Sequence, residues 1–179
     1  MEAESGTDRG TGRGNQMQPE TQSSANALPT IWVDADSCPL RVRDIIGRAA
    51  DRTGVTAVFV ANRKIPLPPS THVRMVVVEA VEGSADAYIV AHATRGDLAV
   101  TRDIPHAADL VERGVVALND RGTIYTAENI RERLSVRDFM HDLRASGVDA
   151  PERSRFGPKE IALFAQSFDK TLSARLRLK

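Results

Sequence analysis

From Ile31 onward, short apolar runs alternate with segments whose apolar residues recur every three or four positions. Ile31-Trp32-Val33 is a continuous apolar run of the kind found in strands buried on both faces. Pro39 suits a first helical turn. Val42, Ile45, Ile46, Ala49 and Ala50 then form one helical face to about Thr53, and Gly54 stops it. Val55 to Ala61 predicts a second strand, Asn62 to Ser70 a Pro-rich loop, and Val73 to Val78 a third strand. Ser84 is placed to cap a helix from Ala85 to about Thr94. Leu98 to Thr101, a helix from Ile104 to Glu112 and a strand from Val115 to Leu118 complete the alternation.

Beyond that point the period is helical. Thr126 is the predicted cap of one helix and Ser135-x-x-Asp138 the capping box of another, with Val136, Phe139, Met140 and Leu143 on its packing face. Gly147 ends it, Asp149 to Gly157 reads as a polar linker, and Pro158 opens a last helix. Its stripe of Ile161, Phe164, Ala165, Phe168 and Leu172 is a packing face, or else a contact with a second copy of the chain. Strand–helix alternation with short connections predicts an α/β fold: a three-layer, open, mostly parallel sheet with additional C-terminal helices. Residues 1 to 29 hold almost nothing large and apolar, and are expected to be a disordered tail with Met17 as an alternative start. Residues 30 to 179 are expected to form one domain.

Composition narrows the class. The 179 residues are 41% hydrophobic and 27% charged with zero formal net charge, so bulk electrostatics announce neither nucleic acid nor a membrane surface. No apolar run approaches the length of a membrane helix, and no signal segment is expected, because the first residues lack a basic stretch followed by an apolar one. The single cysteine, Cys38, excludes an internal disulfide and fits a reducing cytoplasm. It reads as a small packing residue. The four histidines lack ligand spacing, which argues against zinc.

The chemistry lies in where acids fall. Asp34 and Asp36 follow the first strand, Asp103 follows the fourth, and Asp86 sits in the first turn of the helix after the third. In a parallel sheet these positions share the carboxyl edge, where ligands bind. Clustered carboxylates repel one another and call for a hard divalent cation, Mg²⁺ or Mn²⁺. Plainer duties compete: Asp36 and Asp103 as helix caps, and Asp86 as a partner of its helix dipole. Asp34 falls too early for a cap. Asn62, Arg63, Thr101 and Arg121 are candidate contacts to a phosphate backbone.

These residues lie in a recognisable order of motifs. VDADSCP from Val33, VAN at 60–62, GDLAVTRDIPHAA at 96–108, ALNDRG at 117–122 and YTAENIRERLSVRDFMHDLRASG at 125–147 resemble the bacterial YaiI/YqxD family of uncharacterised proteins over about residues 31 to 170. That family is grouped with PIN-like nuclease domains. Asp34 matches the PIN aspartate after strand one, and Asp86 with Thr101-Arg102-Asp103 matches the later acidic segment. Asp44 or Asp36 stands for the remaining acid. The resemblance implies a PIN-like (Rossmann-like) domain and a Mg²⁺- or Mn²⁺-dependent cut of RNA or DNA, with Asp34, Asp36, Asp86 and Asp103 as catalytic residues and metal ligands.

Two readings rival it. A haloacid-dehalogenase-type phosphatase also begins with an apolar strand and Asp-x-Asp, with Asp34 as nucleophile and Mg²⁺ assisting, and Gly96-Asp97 with Asp103 partly matches its later motif. A non-catalytic RNA- or protein-binding domain is the third, although only 4% aromatic residues leave little for base stacking.

Overall fold

The apolar runs become a five-stranded, all-parallel sheet in a computed structural model that describes residues 28–147 and 156–178. The N-terminal tail through residue 27, most of the 149–157 linker and Lys179 lie outside the described residues. The strands are β1 (Ile31–Asp34), β2 (Ala57–Ala61), β3 (Val73–Val77), β4 (Leu98–Val100) and β5 (Val116–Leu118). Their order, β3-β2-β1-β4-β5, sends the chain outward from β1 to β3 and then back to β4 on the other side of β1. The carboxyl ends of β1 and β4 therefore flank a topological switch point, the place where open parallel sheets bind ligands.

Alternation along β1 decides the layers. Ile31 and Val33 enter one core with α1 (Leu40–Thr53) and α5 (Pro158–Arg177), whose Phe164, Phe168 and Leu172 are fully buried as the stripe predicts. Trp32 faces the other way, into a second core with α2 (Ser84–His92), α3 (Ile104–Glu112) and Ile130 at the start of α4 (Ile130–Ala145). The α/β class, the helix–sheet–helix layering and the C-terminal helices agree with the sequence pattern.

Details differ, each for a local reason. Val55 and Thr56 precede β2 rather than join it, and β3, β4 and β5 are each one residue shorter than their apolar runs. The N-cap of α2 is Gly83 at φ 78°, so Ser84 is the first helical residue and caps nothing. Pro39 occupies the α1 N-cap, so Asp36 does not cap that helix. Ile130–Ala145 forms one helix, entered by a Thr126/Asn129 turn, where the sequence pattern predicts two. The Ser135 hydroxyl donates back to Arg131 O in mid-helix, and Val136 and Phe139, expected to pack, are exposed.

Gly47 lies inside α1, where Ala would ordinarily be better by ~1 kcal/mol. It is buried, and a Cβ there would overlap the Pro68 ring of the Pro-rich loop. Gly47→Ala is expected to destabilise the protein by about 1–3 kcal/mol in chemical denaturation. A stabilised variant would show that Pro68 does not sit on the helix.

Candidate active site

Loops from three strand ends and the start of α2 meet at the switch point. Asp34 closes β1, and its Oδ2 accepts the hydroxyls of Ser37 (3.1 Å) and Thr101 (3.4 Å). Thr101 is itself buried, and its Oγ1 accepts the Asp103 N–H at 3.0 Å. Asp103 caps α3, with Oδ1 taking the His106 N–H at 2.8 Å. Asp36 Oδ2 takes the Asn62 N–H at 2.9 Å, tying the loop after β1 to the end of β2. Arg43 secures the same loop from α1, donating to Cys38 O (2.8 Å) and Ala35 O (3.2 Å). Among the described residues no hydrogen bond reaches Oδ1 of Asp34.

Asp34, Asp36, Asp86, Asp103 and Asn62 line one open cleft of about 560 Å³, shared with Ser37, Glu82, Arg102 and Arg137. Five carboxylates thus face two guanidiniums, and Arg102 is already paired with buried Asp120. Burial and the neighbouring acids both disfavour the ionised carboxylates. Burial, then the nearby Asp86, raises the Asp34 pKa against the Ser37 hydrogen bond. Burial, then Asp103 and Asp109, pushes Asp86 up to about 6. Such an oxygen-only donor set with uncompensated charge suits a hard divalent cation. As the side chains stand, no three His, Cys, Asp or Glu groups among the described residues are close enough to hold one.

In metal-free protein this predicts a pH signature. A carboxyl whose folded pKa exceeds its unfolded value is more protonated when folded, so stability falls as pH rises through the interval between them. For Asp86 that interval runs from 3.8 to about 6. His106, whose pKa burial lowers, works in the opposite direction. Unfolding in EDTA from pH 4 to 7 is expected to show a smaller loss of stability for Asp86→Asn than for the original chain. Identical curves would mean that burial and Asp103 do not hold the Asp86 carboxyl up in the folded chain.

Other residues separate from this cluster. Arg63 and Asp44 do not line the cleft, and Asp36 does, which favours Asp36 as the additional acid. Arg121 lines a neighbouring cleft, 3.7 Å from Glu160. Asp97 lies at the opposite, amino edge of the sheet, buried. It accepts Thr30 N, Trp32 Nε1, Thr94 N and the Thr94 hydroxyl, a structural knot far from Asp34 in register. Cys38 is buried and its thiol is pushed up to about 12, chiefly by burial. Thiol reagents at pH 8 are expected to leave it unmodified in the folded protein and to react after denaturation. Rapid native labelling would mean the loop opens.

Sequence reasoning missed His106 and Arg137. His106 is 3% exposed, and neither ring nitrogen has a hydrogen-bond partner. Nε2 lies 3.5 Å from Asp86 Oδ1, an ion-pair distance without hydrogen-bond alignment. Burial lowers its pKa, so the ring is neutral at pH 7. Its only sequence signal is its place three residues after a capping Asp. Arg137 was hidden by the division of α4 into two helices.

Comparison with known proteins adds the family context. A family model described as "Uncharacterized BCR, YaiI/YqxD family" matches residues 32–174. A "UPF0178 protein" of Treponema pallidum is 53% identical over 83% of this chain and 84% of its own length. Another, of Treponema denticola, is 47% identical over 82% and 94%, and one from Halorhodospira halophila is 49% identical over 81% and 96%. No solved structure matches the chain.

Proposed function

The chain belongs to the YaiI/YqxD family of uncharacterised bacterial proteins, and within it we propose that this protein is a Mg²⁺- or Mn²⁺-dependent phosphodiesterase acting on RNA or DNA. The observation that carries this reading is the meeting of four aspartates from three chain segments in one cleft at the sheet's switch point. Asp34, Asp36, Asp86 and Asp103 would hold the cation once their side chains draw together, since no three of them stand close enough as placed. When bound, it supplies Lewis-acid activation of the phosphodiester and of water.

The chain's own residues do the rest. Ser37 and Thr101 orient Asp34 through Oδ2, and Asn62 N fixes Asp36. Arg102 and Arg137 present guanidiniums to a phosphate in the cleft. The neutral His106 ring packs against Asp86 without adding charge.

The phosphatase alternative loses support at two points. Asp97, half of its later motif, sits at the wrong edge of the sheet, and the residues lining the cleft include no lysine to hold a phosphoryl group beside Asp34. The test is incubation with Mn²⁺ or Mg²⁺ and single-stranded RNA, structured RNA, DNA and phosphomonoesters, with Mn²⁺ binding measured by calorimetry. Cleavage of internal phosphodiesters is the expected result. Release of phosphate from monoesters alone would replace it with the phosphatase. Absence of both activity and metal binding would leave a non-catalytic domain.

A further inference from the structure

The acidic cleft does not end at Arg102 and Arg137. Two further clefts adjoin it along α4, and all three share Ile104. One, of about 420 Å³, is shared through Arg137 and adds Arg133 and Arg144 against a single acid, Glu132. The other, of about 510 Å³, is shared through Arg102 and Arg133 and has Asp120 as its only acid. A negative cleft is thus bordered on its α4 side by a continuous positive surface, although the chain as a whole is neutral.

We propose that this surface is the binding track for a single-stranded polynucleotide, with Arg133 and Arg144 of α4 holding phosphates several nucleotides from the scissile bond. The proposal rests on the phosphodiesterase reading for the identity of the adjoining cleft. Three independent observations support it. The charge is complementary to a polyanion, since three arginines face one acid in each of the two clefts. Ile104, Val136 and Met140 place apolar surface between the arginines, which matches bases alternating with phosphates better than it matches an inorganic anion. Arg133 is pre-positioned but incompletely used: its guanidinium lies over the Tyr125 ring at 5.8 Å, and its buried Nε has no hydrogen-bond partner. The face expected to pack and found exposed thus gains a use, since Val136 belongs to the track.

The test separates binding from cleavage. Anisotropy of end-labelled 12-nucleotide RNA and DNA is measured in EDTA at several salt concentrations, with the full chain, Arg144→Gln, Arg133→Gln/Arg144→Gln and Asp34→Asn. The original chain is expected to bind both oligomers or RNA preferentially, and Asp34→Asn to bind at least as well. The double variant is expected to bind about tenfold more weakly, with a shallower salt slope by roughly one to one and a half. Arg144→Gln, at an exposed position, is expected to give a smaller loss with unchanged melting. Oligomer binding that is absent, or unchanged in the double variant, would overturn the track even if cleavage is found. So would competition by a mononucleotide or by inorganic polyphosphate as effective as that by RNA. Binding lost in the arginine variants with no cleavage under any metal would keep the track and reject the phosphodiesterase.

Discussion

Asp34→Asn is expected to lower metal-dependent phosphodiester cleavage by at least about a hundredfold while leaving metal-free protein as stable as the original or more so. The two effects share one cause. Asp34 is a charge that the fold holds at a cost: burial and the neighbouring Asp86 both disfavour its ionised form. Asn keeps the shape, and its amide oxygen can still accept the Ser37 and Thr101 hydroxyls. It removes only the charge, which is what a hard cation requires. Initial rates on labelled RNA in Mn²⁺ and melting in EDTA read the two halves separately. Retained activity would remove Asp34 from the chemistry. Lost stability would make it a structural acceptor, as Asp97 is.

That contrast between Asp34 and Asp97 shows how far the chain could be read directly. Both acids adjoin buried strands, but Asp34 follows its strand and Asp97 precedes one, so a parallel sheet puts them on opposite edges. Period and strand ends were therefore enough to gather Asp34, Asp36, Asp86 and Asp103. They were not enough to say what each carboxylate touches. Asp103 does cap α3, while Asp36, an equally good candidate on paper, is drawn to Asn62 N because Pro39 already starts α1. Thr101, a candidate phosphate contact on paper, is buried and donates its hydroxyl to Asp34. The α4 face was the larger miss. Its apolar residues have helical spacing, and spacing cannot tell a face that packs on the core from one that lines an open groove with arginines. His106 left no periodic trace, because its position depends on how α3 packs beside Asp86.

Gly122→Ala is expected to cost about 3–5 kcal/mol, far more than Gly54→Ala at about 1 kcal/mol, although both glycines have positive φ. Gly54 ends α1 with nothing within 4 Å of where a Cβ would lie, so only its backbone conformation resists the change. At Gly122 a Cβ would meet Leu163 O at 2.5 Å, Leu163 C at 2.7 Å and Phe164 N at 2.9 Å. Those are backbone atoms of α5 and cannot rotate away. Nor can the helix retreat easily, since Phe164, Phe168 and Leu172 anchor it in the core over α1. The turn is equally constrained: Asn119 Oδ1 accepts the N–H groups of Arg121 and Thr123, and Asn119 O accepts that of Gly122. The clash must therefore displace either α5 or the turn carrying Asp120, the partner of Arg102 in the candidate site. Urea denaturation of the two variants side by side isolates the contact from the φ penalty. Equal losses would mean that α5 does not press on this turn, and the link between the C-terminal helix and the cleft would fall with it.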